Sequence, residues 1–166
     1  MAKELQVMRD GNSQHIIVSA TLGGTGAQTV NVFTFSGTIR ILDQFAHITR
    51  VGTLANCTGV YADAYDGTNT VELTADGAVL SGATVGSLFT KDKVAAQIYS
   101  VSLADEVRLL ETLETRTAGR PFLITAKNGV TNYIRFHYTT TDAPIDFDME
   151  IHFEYELLNG STLELA

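Results

Sequence analysis

From residue 147 to residue 157 the chain alternates without a break. Phe147, Met149, Ile151, Phe153, Tyr155 and Leu157 fall on one parity; Asp148, Glu150, His152, Glu154 and Glu156 fall on the other. A period of two sends one set to a core and the other to water, so the spacing predicts a half-buried strand with an acidic outer face. Residues 15–20 predict a first strand, closed by Leu22-Gly23-Gly24-Thr25-Gly26. From Thr29 to Leu42 the alternation resumes, with Val30, Val32, Phe33 and Phe35 before Gly37 and Ile39 and Ile41 after it. A glycine inside such a run marks a bulge or bend. Phe45, His47 and Val51 predict the returning strand of a meander.

Turn residues punctuate the rest. Residues 60–65 and 70–74 flank Asp66-Gly67, a pair suited to the positive φ angles of a tight hairpin, and Asp76-Gly77 marks the next turn. Residues 78–87 are small and glycine-spaced and read as a surface loop. Residues 121–126 and 133–138 flank Asn128-Gly129, which predicts another hairpin. One stretch departs from the β pattern: over residues 102–117, Leu103, Val107, Leu110 and Leu113 recur at helical spacing behind Ser102 and Asp105, a weak capping box. A further turn of helix is expected over 91–97. The expected fold is all-β, an antiparallel, jelly-roll-like β-sandwich with one short helix near 102–117. It forms a single domain over 15–166 behind an N-terminal arm, residues 1–14.

Composition narrows the function classes. Charged residues are 18% of the 166, below the roughly 25% of an average soluble protein, while hydrophobic residues at 45% suffice for a core. With 11 Lys plus Arg against 19 Asp plus Glu, the net charge is −8, a poor match to a phosphate backbone, so no nucleic-acid partner is expected. No run of about 18 apolar residues exists to form a spanning helix, and no membrane partner is expected. The first residues, Met1-Ala2-Lys3-Glu4-Leu5-Gln6, lack the apolar stretch of a Sec signal peptide. Cys57 is the only cysteine, so an internal disulfide is excluded, and it has no basic neighbour to activate it.

Candidate chemistry is sparse. His15, His47, His137 and His152 are too far apart in sequence to supply the close local pair that zinc sites usually draw on, so no metal is expected. Asp63, Asp66 and Asp76 match no calcium loop, and the aspartates beside glycine are explained by turn geometry. Asp142, Asp146 and Asp148 around Pro144 read as a solvated loop. Gly23-Gly24-Thr25-Gly26 lacks the Lys-Ser/Thr of a P-loop and precedes a strand rather than a helix. Glu150, Glu154 and Glu156 share a strand face, as the carboxylate pair of a glycosidase would, but the chain has no Trp for a sugar platform. No catalytic residue and no cofactor are expected, and the chain reads as a non-enzyme.

A resemblance then enters. Gly37-Thr38-Ile39-Arg40-Ile41-Leu42, the run from Asn56-Cys57-Thr58-Gly59-Val60 through Tyr61-Ala62-Asp63-Ala64-Tyr65-Asp66-Gly67, and Val85-Gly86-Ser87-Leu88-Phe89-Thr90-Lys91-Asp92 resemble small virion proteins of tailed bacteriophages. Ala118-Gly119-Arg120-Pro121-Phe122 through Phe136 and Thr139-Thr140-Thr141-Asp142 continue the likeness, which spans most of the chain from Gly37 onward. It implies a head decoration, or cement, protein: a homo-oligomer, often a trimer, made in the host cytoplasm and bound to major capsid protein on the capsid exterior. Tail, neck and fibre proteins are the competing places. No functional residue is transferred by it.

Low charge suits such a role, because few charges must be desolvated at an interface. Within the arm, Leu5, Val7 and Met8 are candidate anchors for strand addition to a neighbour's sheet, with a frayed terminus as the alternative. A second reading is a carbohydrate- or receptor-binding module of a tail or fibre, with Tyr61, Tyr65, Tyr133 and Tyr138 as stacking residues. In either case the acidic face of 148–156 is expected to look into water and the charge-poor loops and arm to meet the partner.

Overall fold

The computed structural model describes residues 3–10, 13–50, 57–74, 88–90, 108–109, 121–140 and 147–166. All regular structure among them is β: β1 (Lys3–Asp10), β2 (Ser13–Leu22), β3 (Gly26–Arg50), β4 (Cys57–Tyr65), β5 (Thr70–Glu72), β6 (Leu88–Thr90), β7 (Arg108–Leu109), β8 (Phe122–Thr125), β9 (Asn132–Thr140) and β10 (Phe147–Leu165). They join in one antiparallel sheet with the path β1-β2-β10-β3-β9-β4-β5; β6 and β8 also pair with β3, and β7 pairs with β8.

Two long strands organise this sheet. β3 runs for 25 residues and β10 for 19, paired from Arg50–Asp148 to Phe33–Leu165. Both bend at the same level. Gly37 sits at φ +69°, and opposite it Asn159 and Gly160 also take positive φ as the register jumps between Leu158 and Thr162. Glycine is required at 37 because a Cβ there would collide with the Ser161 side chain. The Ser161 hydroxyl uses that space to accept from Thr38 N at 2.8 Å and lies beside the carbonyls of Thr38 and Leu158, to which it donates. The bend folds the sheet over on itself, β-sandwich-like. Phe33, from the half that carries β9, β4 and β5, therefore packs its ring 5.4 Å from Phe153 of the half that carries β2. Gln44 likewise reaches across to the Leu73 carbonyl at 3.4 Å.

The core is what the alternation anticipated: Ile16 and Val18 of β2, Ile39, Ile41 and Ile48 of β3, Ile134 and Phe136 of β9, and Met149, Phe153 and Tyr155 of β10. Val32 and Phe33 are both buried, which a regular strand forbids for consecutive residues. A register shift between Asn31 and Phe33 supplies the extra residue that turns both inward.

Four readings change. The segment at Phe45 and His47 is no returning strand but the continuation of β3 to Arg50. Asn128-Gly129 does not close a hairpin: β8 and β9 both run antiparallel to β3 along one edge, at Thr38–Ile41 and Gly26–Phe35 respectively. Because β3 is long enough to hold both end to end, the Asn-Gly turn is the tip of an excursion within one path. Asn132 closes its base, accepting from Lys127 N at 2.9 Å and donating to the carbonyls of Lys127 and Val130 at 2.9 and 3.0 Å. Of the helix expected near 102–117, Arg108 and Leu109 are described, and they are strand, paired with Thr125 and Ile124 of β8. A free strand edge outweighs a weak helical pattern, since short helices depend on tertiary packing; the rest of 102–117, the turn over 91–97 and the loop over 78–87 lie outside the described residues. Lastly, Lys3–Asp10 of the expected arm is strand β1, paired along its length with β2 of its own chain.

Candidate functional site

Two polar clusters form on the outer faces, one on each half of the sheet. The first lies where β2, β10 and β3 run side by side. Antiparallel register sets His152 opposite Ile17 on one side and Phe45 on the other, and sets Glu150 opposite His47. His15, on the same outward parity of β2, leans onto His152 with ring centroids 5.1 Å apart. Phe45 stacks on the His152 ring, at 4.3 Å and 11°. The neighbours cover His152 so well that only 8% of it is exposed, although it points away from the core.

Among the described residues this imidazole has one partner and one orphan. Its Nδ1 lies 3.0 Å from His15 Nε2, while its buried Nε2 has no hydrogen-bond partner among them. The Glu150 carboxylate is 3.8 Å from that orphan and 3.2 Å from His47 Nε2. Burial, followed by the nearby His15 and His47, holds the His152 pKa below the ordinary histidine value, against the opposing pull of Glu150. One donor atom each from His47, Glu150 and His152 falls within 4.8 Å of the others, the spacing of a set that could hold a metal ion. Sequence spacing missed this cluster because the histidines are 32 and 105 positions apart or more and meet only by cross-strand register; the outward parity shared by His15, His152 and Glu150 was the available signal.

The second cluster ties β4 to β9. Asp63 is 1% exposed and receives both ends of the Arg135 guanidinium, Nε to Oδ1 at 2.8 Å and Nη2 to Oδ2 at 2.6 Å. His137 Nε2 lies 2.8 Å from Oδ2, and its Nδ1 lies 3.1 Å from the Thr29 hydroxyl. Burial pushes the Asp63 pKa up, but the hydrogen bonds and charges of His137 and Arg135 together outweigh it, and the net shift is downward. Arg135 already compensates the carboxylate's charge, so the cluster works as a knot between strands.

The tyrosines singled out from the sequence surround this knot. Tyr61 lies face to face with His137 at 4.3 Å and 6°, and Arg135 sits 3.8 Å over the ring of Tyr65, whose hydroxyl donates to the Gly67 carbonyl. One face of each ring is thus engaged within the chain. Tyr138 is in the core, donating to the Gly23 carbonyl, and Tyr133 is half-buried on the outer side. Leu5, Val7 and Met8 occupy β1, at register with Val18, Ile16 and His15; the strand of Tyr61 and Tyr65 lies five places further along the sheet path.

The acidic face of β10 does look outward, but it is not a bare negative surface. Arg50 binds Asp148 at 2.6 Å, Arg40 lies 3.3 Å from Glu156, and His47 lies beside Glu150, so β3 supplies partners across the ladder. Asp148, hydrogen-bonded by Arg50 and Thr21, has its pKa lowered accordingly.

No family model matches the chain, and no curated protein is significantly similar to it. Among solved structures, the infectious bursal disease virus Gx strain is similar at 10% identity and a TM-score of 0.34, over 94% of this chain and 37% of that one. The Gt strain of the same virus is similar at 13% identity and a TM-score of 0.19, over 99% and 36%. This chain therefore spans little more than a third of either, and likenesses this weak decide neither fold nor role.

Proposed function

We propose that this chain is a non-enzymatic structural protein of a virus particle, a capsid decoration or cement protein that self-associates and bridges major capsid protein subunits from outside. The observation that carries the reading is the sheet's end strand. Among the described residues β1 pairs with β2 alone, so its other edge presents backbone donors and acceptors, the template by which subunits extend each other's sheets. Val130 is the one large apolar side chain that stands exposed among the residues whose side-chain burial is described. The bent, bulged double sheet supplies a rigid body for such contacts, and its resemblance-bearing segments include Gly37, the bend residue. Light scattering of the full chain, followed by sedimentation with capsids, tests the reading: an oligomer that pellets with capsids supports it, and a strict monomer that stays in the supernatant overturns it.

A further inference from the structure

The orphaned ring nitrogen of His152 has a physical explanation in its surroundings. A buried polar atom without a partner is destabilising unless something satisfies it. Here two further donor atoms point to the same space. Zinc takes imidazole nitrogen and carboxylate oxygen at about 2.0–2.2 Å in tetrahedral geometry, which puts donors about 3.3–3.6 Å apart. The observed 3.2 Å between His47 Nε2 and Glu150 Oε2, and 3.8 Å between His152 Nε2 and the same oxygen, bracket that value. Two nitrogens with one oxygen favour a zinc-class ion over magnesium or calcium, which prefer all-oxygen shells.

We propose that His47, Glu150 and His152 form a binding site for a zinc-class divalent ion that clips β3 to β10 on the outer face. His15 is the positioning residue. With Nδ1–H of His152 donating to His15 Nε2, the Nε2 of His152 carries its lone pair toward Glu150, the arrangement metal-ligating histidines adopt. Phe45 fixes the plane of the ring by stacking on it. Three protein ligands leave the fourth position to water, and it opens outward, because the His47 and Glu150 side chains are 30% and 36% exposed. The fold itself stands on the apolar core beneath, so the ion adds stability to a structure that forms without it.

Calorimetric titration of zinc chloride into the chelator-treated full chain tests the site. The expected result is one zinc per chain, with a higher melting temperature when it is bound. His47→Ala and Glu150→Gln alter outward, half-exposed side chains, and each is expected to weaken zinc binding at least about tenfold while the zinc-free melting temperature holds. For His15→Ala the expected loss is about 10–100-fold, and in the unaltered protein the ring-nitrogen chemical shifts of His152 should report a protonated Nδ1 and a bare Nε2. Absence of saturable zinc binding, or binding that both His47→Ala and Glu150→Gln leave unchanged, overturns the site. A His152 protonated at Nε2 in the zinc-free chain overturns the role of His15.

Discussion

Asp63 shows how one buried side chain can set a stability profile. It is almost fully enclosed, yet two cationic or hydrogen-bonding neighbours keep it ionised. Removing one member of such a pair leaves the other buried without a partner, so Asp63→Ala is expected to cost about 3–5 kcal/mol in urea unfolding. The pH dependence follows from the direction of its shift. Its native pKa is below the ordinary 3.8, so the unfolded chain takes up the proton first as pH falls. The stabilisation is complete above about pH 5 and is lost as pH drops through 4 and below. Asp148, lowered by Arg50 and Thr21, adds loss of the same sign. Urea midpoints at about pH 6 and pH 3 should therefore differ more for the unaltered protein than for Asp63→Ala; equal differences would contradict the role assigned to the knot.

At the scale of elements, the bend and the excursion make the most specific claims. Gly37→Ala would place a methyl at positive φ and against Ser161, and is expected to cost about 1–3 kcal/mol. Asn132→Ala would leave the Lys127 amide and carbonyl at the base of the excursion without their side-chain partner, and a loss of about 1–3 kcal/mol is expected by thermal or urea unfolding. Costs near zero would show that neither device holds the sheet. Most strands were legible in the sequence, because period-two alternation is a local signal: the burial of Ile16 and Val18, of Ile134 and Phe136, and of Met149 and Phe153 follows it directly. Pairing is a long-range property and was less legible. Asn128-Gly129 has the composition of a hairpin turn, but nothing local says that β3 continues past Gly37 far enough to hold both flanks. The histidine cluster was hidden for the same reason. His47 and Glu150 are neighbours by register alone, while Tyr61 and Tyr65, correctly placed near one another along a strand, turned out to be engaged by His137 and Arg135.

For the whole molecule, the long paired strands and the fold-over at Gly37 and Asn159-Gly160 give a folded sheet whose end strand β1 pairs, among the described residues, with β2 alone. Its outer acidic strand is laced with Arg40 and Arg50, so charge on that face is interleaved rather than uniformly repulsive. Such a surface tolerates close packing of copies better than a bare row of carboxylates would. The proposed place of this body is a virus particle. Quantitative mass spectrometry of purified particles tests it most directly. The chain is expected at a copy number in simple proportion to the major capsid protein, released when the capsid is disassembled; particles that lack it, or carry it only at trace levels that washing removes, would overturn the proposal.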